Sequence, residues 1–405
     1  DHAHPEYSSP ECSNPRDAVV WDKAGERILE ASIQAAGAIV PGGQGISIYK
    51  NNSDGKGNSY GCHENYLVDR ATPFPDLVHH LIPFFVSRQV FTGSGKVGAE
   101  ATSREVDYQI SQRADFFEVE VGLETTFKRP IINTRDEPHA DPERYRRLHV
   151  ITGDANMAEL ATFLKVGATA LVLRMIEDDF IAEDFDLKEP VRALRAVSHD
   201  PSLRATIDLT DGRRLSALEL QWEYLRLAQK YAEDNDTDGG AEDVLSAWES
   251  VLEGLEKDPL TQSQRLDWVA KLALLEAYRE RDGLAWDHPK LRLIDLQYHD
   301  VTRSRGLYHR LERAGKIERL VSDAEIERAV DHPPEDTRAY FRGECLRRYS
   351  RAIVAASWDA LIFDVGEDPL RKVPTLEPTR GTRAHVEGLL EDSPRASDLI
   401  SNLGA

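Results

Sequence analysis

Cysteine is scarce in this sequence. Its three cysteines, Cys12, Cys62 and Cys345, are widely separated and odd in number among 405 residues. Such spacing argues against a disulfide framework and against a zinc site built from paired cysteines. Reduced thiols are the rule in the cytoplasm, and we therefore expect a cytoplasmic protein.

Positive charge and long apolar runs are also lacking. Lysine and arginine number 50 against 71 aspartates and glutamates, which gives a formal net charge of −21. Nucleic acids and anionic membranes attract basic surfaces, so we expect neither as a partner. The longest apolar stretch, 77 to 90, is interrupted by His79, His80 and Pro83. It falls short of the roughly 20 apolar residues that cross a bilayer.

The sequence does contain a dense group of reactive side chains in its first twelve residues. The run Asp1-His2-Ala3-His4-Pro5-Glu6-Tyr7-Ser8-Ser9-Pro10-Glu11-Cys12 holds three carboxylates, two imidazoles and two serine hydroxyls. Its two prolines favour an extended backbone. Such groups suit Mg²⁺ binding, general-base catalysis or nucleophilic attack. Taken alone, the stretch also fits a solvated polar tail.

Hydrophobic periodicity predicts a chain that mixes helices and strands. Residues 116–123 alternate as a strand, with Phe117, Val119 and Val121 on one face. Residues 157–177 form a long apolar helical pattern, and 361–363 read as a short apolar strand. Pro333-Pro334 marks a natural boundary. We therefore predict a domain over 1–334 and a small C-terminal domain over 335–405.

One apparent phosphate-binding motif does not hold. The run Gly93-Ser94-Gly95-Lys96 resembles the end of a P-loop, which needs a glycine five residues before its Gly-Lys pair and a Ser or Thr after it. Val90 and Val97 occupy those two places. We therefore exclude a P-loop here.

Polar side chains on or beside the predicted strands are the remaining candidates. Glu6, His63 and His149 offer oxygen and imidazole ligands, and Arg113 and Arg135 offer guanidinium groups that neutralise phosphate. The alternatives are a satisfied core or surface histidine and surface ion pairs of little energetic weight. The combination favours a sheet whose concave face holds a metal and a nucleotide, and the residues alone carry the argument no further.

Several stretches resemble the Pup ligase/deamidase family. The matches run in order through nearly the whole chain: Asp1–Cys12, Tyr49–Asn52, Gly61–Leu67, Asn133–Asp141, Arg146–Val150, Gly153–Asn156, Leu266–Leu272, Thr337–Glu344 and Ala356–Asp359. Within the family, the first run and Asp54-Gly55-Lys56-Gly57 look like the deamidase/depupylase branch rather than the ligase branch. The family begins with a strand of metal-binding glutamates that these residues do not include. If that strand is absent, we expect an inactive chain.

The resemblance implies both a fold and an activity. The fold is α+β: a glutamine-synthetase-like (carboxylate–amine ligase) domain with a curved antiparallel sheet packed by helices, plus a small C-terminal domain. The implied activity is hydrolysis of side-chain amides of Pup, by deamidation of its C-terminal Gln and by depupylation of substrate lysines. ATP, or ADP plus phosphate, with Mg²⁺ is the implied cofactor, and Pup and pupylated proteins are the implied partners. A Pup–protein ligase and a non-catalytic Pup-binding homologue are the alternatives.

The resemblance also assigns roles to single residues. It implies that Asp1 is the catalytic aspartate, acting as a nucleophile or as a base. Glu6 matches a Mg²⁺ ligand, and Ser9 and Trp358 match positions that contact the nucleotide. The remaining candidates are further metal or phosphate contacts at His63 and His149, and phosphate or oxyanion stabilisers at Arg113 and Arg135.

Overall fold

The computed structural model describes residues 4–40, 45–101, 103–237 and 239–404. The chain divides into two compact units that are discontinuous in sequence. The larger unit comprises Leu29–Asp136 and Leu148–Leu320, and the smaller comprises Asp1–Ile28, Glu137–Arg147 and Val321–Ala405. The domain division that we predicted at residue 334 stays a prediction.

Helices dominate the described ranges. In chain order they are α1 Pro15–Gly37, α2 Phe74–Ser87, α3 Gln89–Thr92, α4 Glu159–Glu177, α5 Pro190–Ser198, α6 Ala217–Asp234, α7 Gly239–Lys257, α8 Asp267–Asp282, α9 Pro289–Tyr298, α10 Leu307–Arg313, α11 Asp323–Asp331, α12 Arg338–Arg348, α13 Arg383–Glu391 and α14 Ala396–Leu403. None of these helices combines the length and the apolar character that a bilayer crossing requires.

The strands are short. They are β1 Glu64–Asp69, β2 Lys96–Val97, β3 Tyr108–Gln109, β4 Phe117–Gly122, β5 Arg129–Asn133, β6 Tyr145–Val150, β7 Thr206–Asp208, β8 Arg214–Ser216, β9 Ile353–Ala356, β10 Ala360–Phe363 and β11 Arg371–Pro374. The pairs β2–β3 and β7–β8 and the three-stranded sheet β11–β10–β9 are antiparallel, β4 runs parallel to β5, and β1 pairs with β6.

The predicted α+β class is confirmed. In the described ranges the strands form separate ladders of two or three strands, whereas the expectation was one curved antiparallel sheet. The predicted strand at 116–123 is β4, with Phe117 1% exposed. Val121 on the same face is 40% exposed. Burial therefore fades along β4, so alternation predicted the strand correctly but not how far its apolar face is covered.

The core of the larger unit is built around α4. Nearly every residue of this helix is buried, including the polar Thr169 and Lys165. A helix that is buried on all sides packs against several neighbours, and α4 contacts α2, α3, α6 and α7. The sequence predicted this helix at 157–177, within two residues of its observed start.

The smaller unit has its own apolar core. Phe341 and Cys345 on α12 pack with Leu361 and Phe363 on β10 and with Leu399 on α14. The predicted apolar strand at 361–363 therefore forms the buried centre of this unit's antiparallel sheet. Cys12, Cys62 and Cys345 are all free, as their spacing predicted.

Candidate active site

Two predicted site residues, His63 and His149, lie side by side in the larger unit. Their ring centroids are 4.8 Å apart, and the rings meet edge to face at 76°. His63 precedes β1 and is exposed, whereas His149 lies on β6 and is 5% exposed. A Cβ at Gly61 would lie 2.5 Å from His63 Cδ2, so glycine at 61 is what makes room for this ring.

Asn65 fixes the orientation of His149. Its side-chain oxygen lies 2.9 Å from His149 Nδ1. An amide oxygen can only accept, so the imidazole donates from Nδ1. In the neutral ring the lone pair is then on Nε2. Holding one ring nitrogen so that the other is set for a ligand is how proteins orient functional histidines. The sequence matched Asn65 to the family only as part of the run Gly61–Leu67, which did not indicate this role.

Glu64, between these residues, is committed elsewhere. Arg88 binds both of its carboxylate oxygens, Nη2 to Oε1 at 2.6 Å and Nη1 to Oε2 at 2.9 Å. The Tyr66 hydroxyl donates to Oε2 at 2.5 Å. Glu64 is only 8% exposed, and both of its carboxylate oxygens are engaged. We therefore infer that Glu64 holds the backbone between His63 and Asn65 in place and does not bind a ligand directly.

The motif Gly153–Asn156 is held by a network of buried hydrogen bonds. Asp154 is 2% exposed and accepts from Ser94 N and Gln112 N, each at 2.8 Å, and from Ser111 Oγ at 3.0 Å. Burial raises the pKa of Asp154, although these hydrogen bonds oppose the shift. Lys165 Nζ donates to the Asp154 carbonyl at 2.9 Å. The motif that carried the family resemblance is therefore a saturated hydrogen-bond junction.

The Gly93–Lys96 run is part of that junction. Ser94 N donates to Asp154, and Gly95 N donates to the Ile110 carbonyl at 2.7 Å. Gly95 has a φ of 71°, a conformation that glycine adopts without strain. These amides are directed at protein acceptors, which agrees with our exclusion of a phosphate-binding loop.

The two predicted phosphate-binding arginines occupy very different places. Arg113 is 1% exposed, and its Nη1 donates to the Ile151 carbonyl at 2.5 Å. Burial, together with the charge of Arg129, lowers the pKa of Arg113 to about 10. Arg135, by contrast, is exposed. Sequence reasoning grouped the two arginines by residue type, and the structure puts one inside the core and the other at the surface.

Three predicted residues described in the smaller unit are Glu6, Ser9 and Trp358. Glu6 and Ser9 are exposed, and Trp358 is 36% exposed. Asp1, the predicted catalytic residue, lies outside the residues that the structure describes. Arg342 lies over the indole of Trp358 at 5.5 Å and donates to its carbonyl at 3.1 Å.

Glu11 and His139 also belong to this cluster, and sequence reasoning assigned a role to neither. Glu11 accepts from Arg338 Nε at 2.7 Å and pairs with Arg342. Burial raises the pKa of Glu11, but the hydrogen bonds and charges of the two arginines outweigh it, and the net shift is downward. His139 lies 6.4 Å from Trp358 between ring centroids and has a φ of 50°. The sequence pointed to the loop of His139 through the family match at Asn133–Asp141, without a role for His139 itself.

One further group of histidine and carboxylates stands apart from the predicted metal residues. Ligand atoms of His79, Asp184 and Asp186 lie within 4.8 Å of one another. His79 Nδ1 is 3.0 Å from Asp186 and its Nε2 is 3.8 Å from Asp184. The contacts of the His79 ring with the two carboxylates account for this geometry without a metal ion.

The fold defines the class of protein. The solved structure of the Pup ligase PafA in complex with ADP matches this chain with a TM-score of 0.87 and 37% identity, covering 96% of this chain and 86% of that one. The complex between Pup and its ligase PafA matches with a TM-score of 0.88 and 36% identity, covering 96% and 81%.

The chain belongs to the Pup-ligase protein family, whose sequence model matches residues 1–362. It is 61% identical over 407 residues to the depupylase of Acidothermus cellulolyticus and 56% identical over 403 residues to the Pup deamidase/depupylase of Mycolicibacterium smegmatis. Each alignment covers 100% of this chain and 81% of the relative. The Pup–protein ligase of Acidimicrobium ferrooxidans is 46% identical, covering 96% and 86%. The family predicted from the sequence is confirmed.

Proposed function

We propose that this protein hydrolyses side-chain amide bonds of Pup, converting its C-terminal Gln to Glu and releasing Pup from substrate lysines. The observation that carries this proposal is that the chain is more similar in sequence to depupylases and deamidases than to a ligase. The chain is 61% and 56% identical to proteins named for depupylation and deamidation, and 46% identical to a protein named as a ligase. Pup and pupylated proteins are then its partners, and the cytoplasm is its location.

The cofactor we propose is ATP, or ADP plus phosphate, with Mg²⁺. When bound, it supplies a Lewis-acidic cation and phosphate oxygens to the reaction. In the smaller unit, half-exposed Trp358 offers a flat surface for a base, and Ser9 offers a hydroxyl to phosphate. Glu6 is an exposed carboxylate of the kind that binds Mg²⁺.

In the larger unit, we assign His63 and His149 to phosphate oxygens in preference to Mg²⁺. Mg²⁺ takes oxygen ligands, whereas an imidazole donates readily to a phosphate oxygen when it carries a proton on the facing nitrogen. Because His149 Nδ1 donates to Asn65, His149 would make such a bond from Nε2, in the imidazolium form. Arg113 acts through the backbone at Ile151, and Arg135 is the guanidinium available at the surface.

Asp1 remains our proposed nucleophile or general base. An amide is a poor electrophile, so an oriented carboxylate and positive charge near the developing oxyanion would supply most of the acceleration. Asp1→Asn should abolish turnover while nucleotide binding persists, and Asp211→Asn on an exposed turn is the matched control. Full turnover by Asp1→Asn would remove Asp1 from this role.

The experiment that tests the function uses the purified protein with Mg²⁺ and ATP. It is given Pup ending in Gln, Pup ending in Glu plus a protein carrying lysine, and a pupylated protein, in separate reactions. Ammonia from the first and free substrate from the third support the proposal. New conjugates in the second support the ligase, which the PafA-like fold favours as the second candidate. Binding of Pup without any turnover would indicate a non-catalytic homologue.

A further inference from the structure

Tyr7, which lies between Glu6 and Ser9, packs its ring against Gly25 of α1. A Cβ built on Gly25 would lie 2.5 Å from Cε1 and 2.8 Å from Cγ of Tyr7. Gly25 is buried and lies in the interior of a 23-residue helix, where glycine is disfavoured relative to alanine. Glycine at this position weakens the helix, but it leaves room for the Tyr7 ring, which a Cβ would displace.

A second contact holds the same segment four residues further on. The Glu11 carboxylate accepts from Arg338 Nε and from Arg342, and the Glu11 carbonyl accepts from Thr337 Oγ1 at 2.9 Å. The side chains of Arg338 and Arg342 are 4% and 14% exposed. Charge-assisted bonds of this kind, shielded from water, fix geometry more firmly than surface ion pairs do.

The second contact also reaches the indole. Arg342 binds Glu11, lies over the ring of Trp358 and donates to the Trp358 carbonyl. One guanidinium therefore joins the segment that carries Ser9 to the residue that we assign to the base. Both contacts and the indole lie within the smaller unit.

We propose that Gly25 and Glu11 are positioning residues: Gly25 seats Tyr7, Glu11 holds Arg342, and together they fix the backbone of residues 7–11 so that Ser9 and Trp358 are set for the nucleotide. The inference rests on the proposed function for the identity of the ligand and for the assignment of Ser9 and Trp358 to it. Neither residue needs to touch the nucleotide, because each acts through a neighbour.

The test is equilibrium binding of ATP with Mg²⁺, measured separately from turnover. Gly25→Ala should weaken ATP binding by about tenfold or more, because small displacements of contact groups cost that much. Its matched control is Gly37→Ala in the same helix, where a Cβ would meet nothing within 4 Å. The control should bind ATP like the wild type. Glu11→Gln should also weaken ATP binding, and should shift the fluorescence of Trp358.

A double-mutant cycle separates positioning from a general effect on the helix. If the clash with Tyr7 is the cause, Gly25→Ala should add no further loss of ATP affinity in a Tyr7→Ala background. Equal losses in both backgrounds, or wild-type binding by Gly25→Ala, would overturn the inference. If Gly25→Ala fails to fold, the Glu11→Gln variant decides: ATP binding equal to that of the wild type would overturn the inference. If the variants lose ATP affinity as expected but the wild type does not hydrolyse Pup, only the proposed function is refuted. If the wild type does not bind ATP, both the function and the inference are refuted.

Discussion

Glu64 and Arg88 form a bidentate ion pair inside the larger unit, where little water-exposed surface is left to stabilise either charge. Glu64 is 8% and Arg88 1% exposed. Thr169 Oγ1 accepts from Arg88 Nη1 at 2.6 Å, so the guanidinium has a further partner besides the carboxylate. Through this pair, the first residue of β1, Glu64, is attached to Arg88 at the junction of α2 and α3.

Removing the Arg88 guanidinium should therefore lower the free energy of unfolding far more than breaking a surface ion pair does. Arg88→Met leaves Glu64 buried and uncompensated, and we expect the free energy of unfolding to fall by about 3–5 kcal/mol. The control is Arg192→Met, which breaks a pair whose side chains are 80% and 64% exposed. That variant should lose no more than about 1 kcal/mol. Urea unfolding measures both, and equal losses would contradict a supporting role for the buried pair.

Gly153 is the neighbour that leaves room for this pair. A Cβ at Gly153 would lie 2.5 Å from Glu64 Oε1, which Arg88 holds in place. Gly153→Ala should therefore destabilise the protein by about 1–3 kcal/mol, the usual cost of overpacking. Gly388→Ala on α13, where a Cβ meets nothing within 4 Å, should be neutral or stabilise by up to about 1 kcal/mol. Thermal unfolding of both variants gives the comparison, and a stable Gly153→Ala would show that Glu64 can move.

Local patterns predicted the elements well. Periodicity identified α4 and β4 to within two residues of their observed ends, and the apolar run at 361–363 lies within β10. These elements are encoded by neighbours in the sequence, through side-chain spacing. The family resemblance, which rested on motifs in order, was confirmed as well.

Burial of polar groups could not be predicted in the same way. Asp154 and Arg88 look like any other charged residue in the sequence, and their partners lie 24 to 81 residues away. Arg113 was predicted to stabilise phosphate or an oxyanion, and nothing local in the sequence indicated that the core would enclose it. Only tertiary packing distinguishes a buried, satisfied charge from one that meets a ligand, and no local pattern carries that information.

The capping box of α11 should give the smaller unit a measurable pH dependence. Hydrogen bonds from Arg16 and from the Ser322 backbone and hydroxyl lower the pKa of Glu325 to about 2, from a usual 4.5. A depressed carboxyl pKa stabilises the fold above pH 4.5, and this contribution is lost as the pH falls towards 2.

Glu325→Gln isolates that charge, because glutamine also serves at this position of a capping box. We expect a loss of about 1 kcal/mol or less at pH 7, since the Glu325 side chain is 40% exposed and salt screens it. The difference from wild type should shrink between pH 4.5 and the lowest pH at which the protein remains folded. Denaturant unfolding at several pH values measures it, with Glu256→Gln, at an exposed position of α7, as the control. A difference that is constant with pH would contradict the assignment.

The contact between Asn65 and His149 should matter for activity more than for stability. Asn65→Leu removes the acceptor for His149 Nδ1, which is 2.9 Å away, and frees the ring to rotate. Turnover should fall by about 10–100-fold, as for other lost partners of functional histidines. Because Asn65 is exposed, the unfolding temperature should change little. Asn65→Asp keeps an acceptor and should retain more activity, and Asn235→Leu at the exposed end of α6 should behave like the wild type. If Asn65→Leu turned over Pup at the wild-type rate, the orientation of His149 would have no part in the reaction.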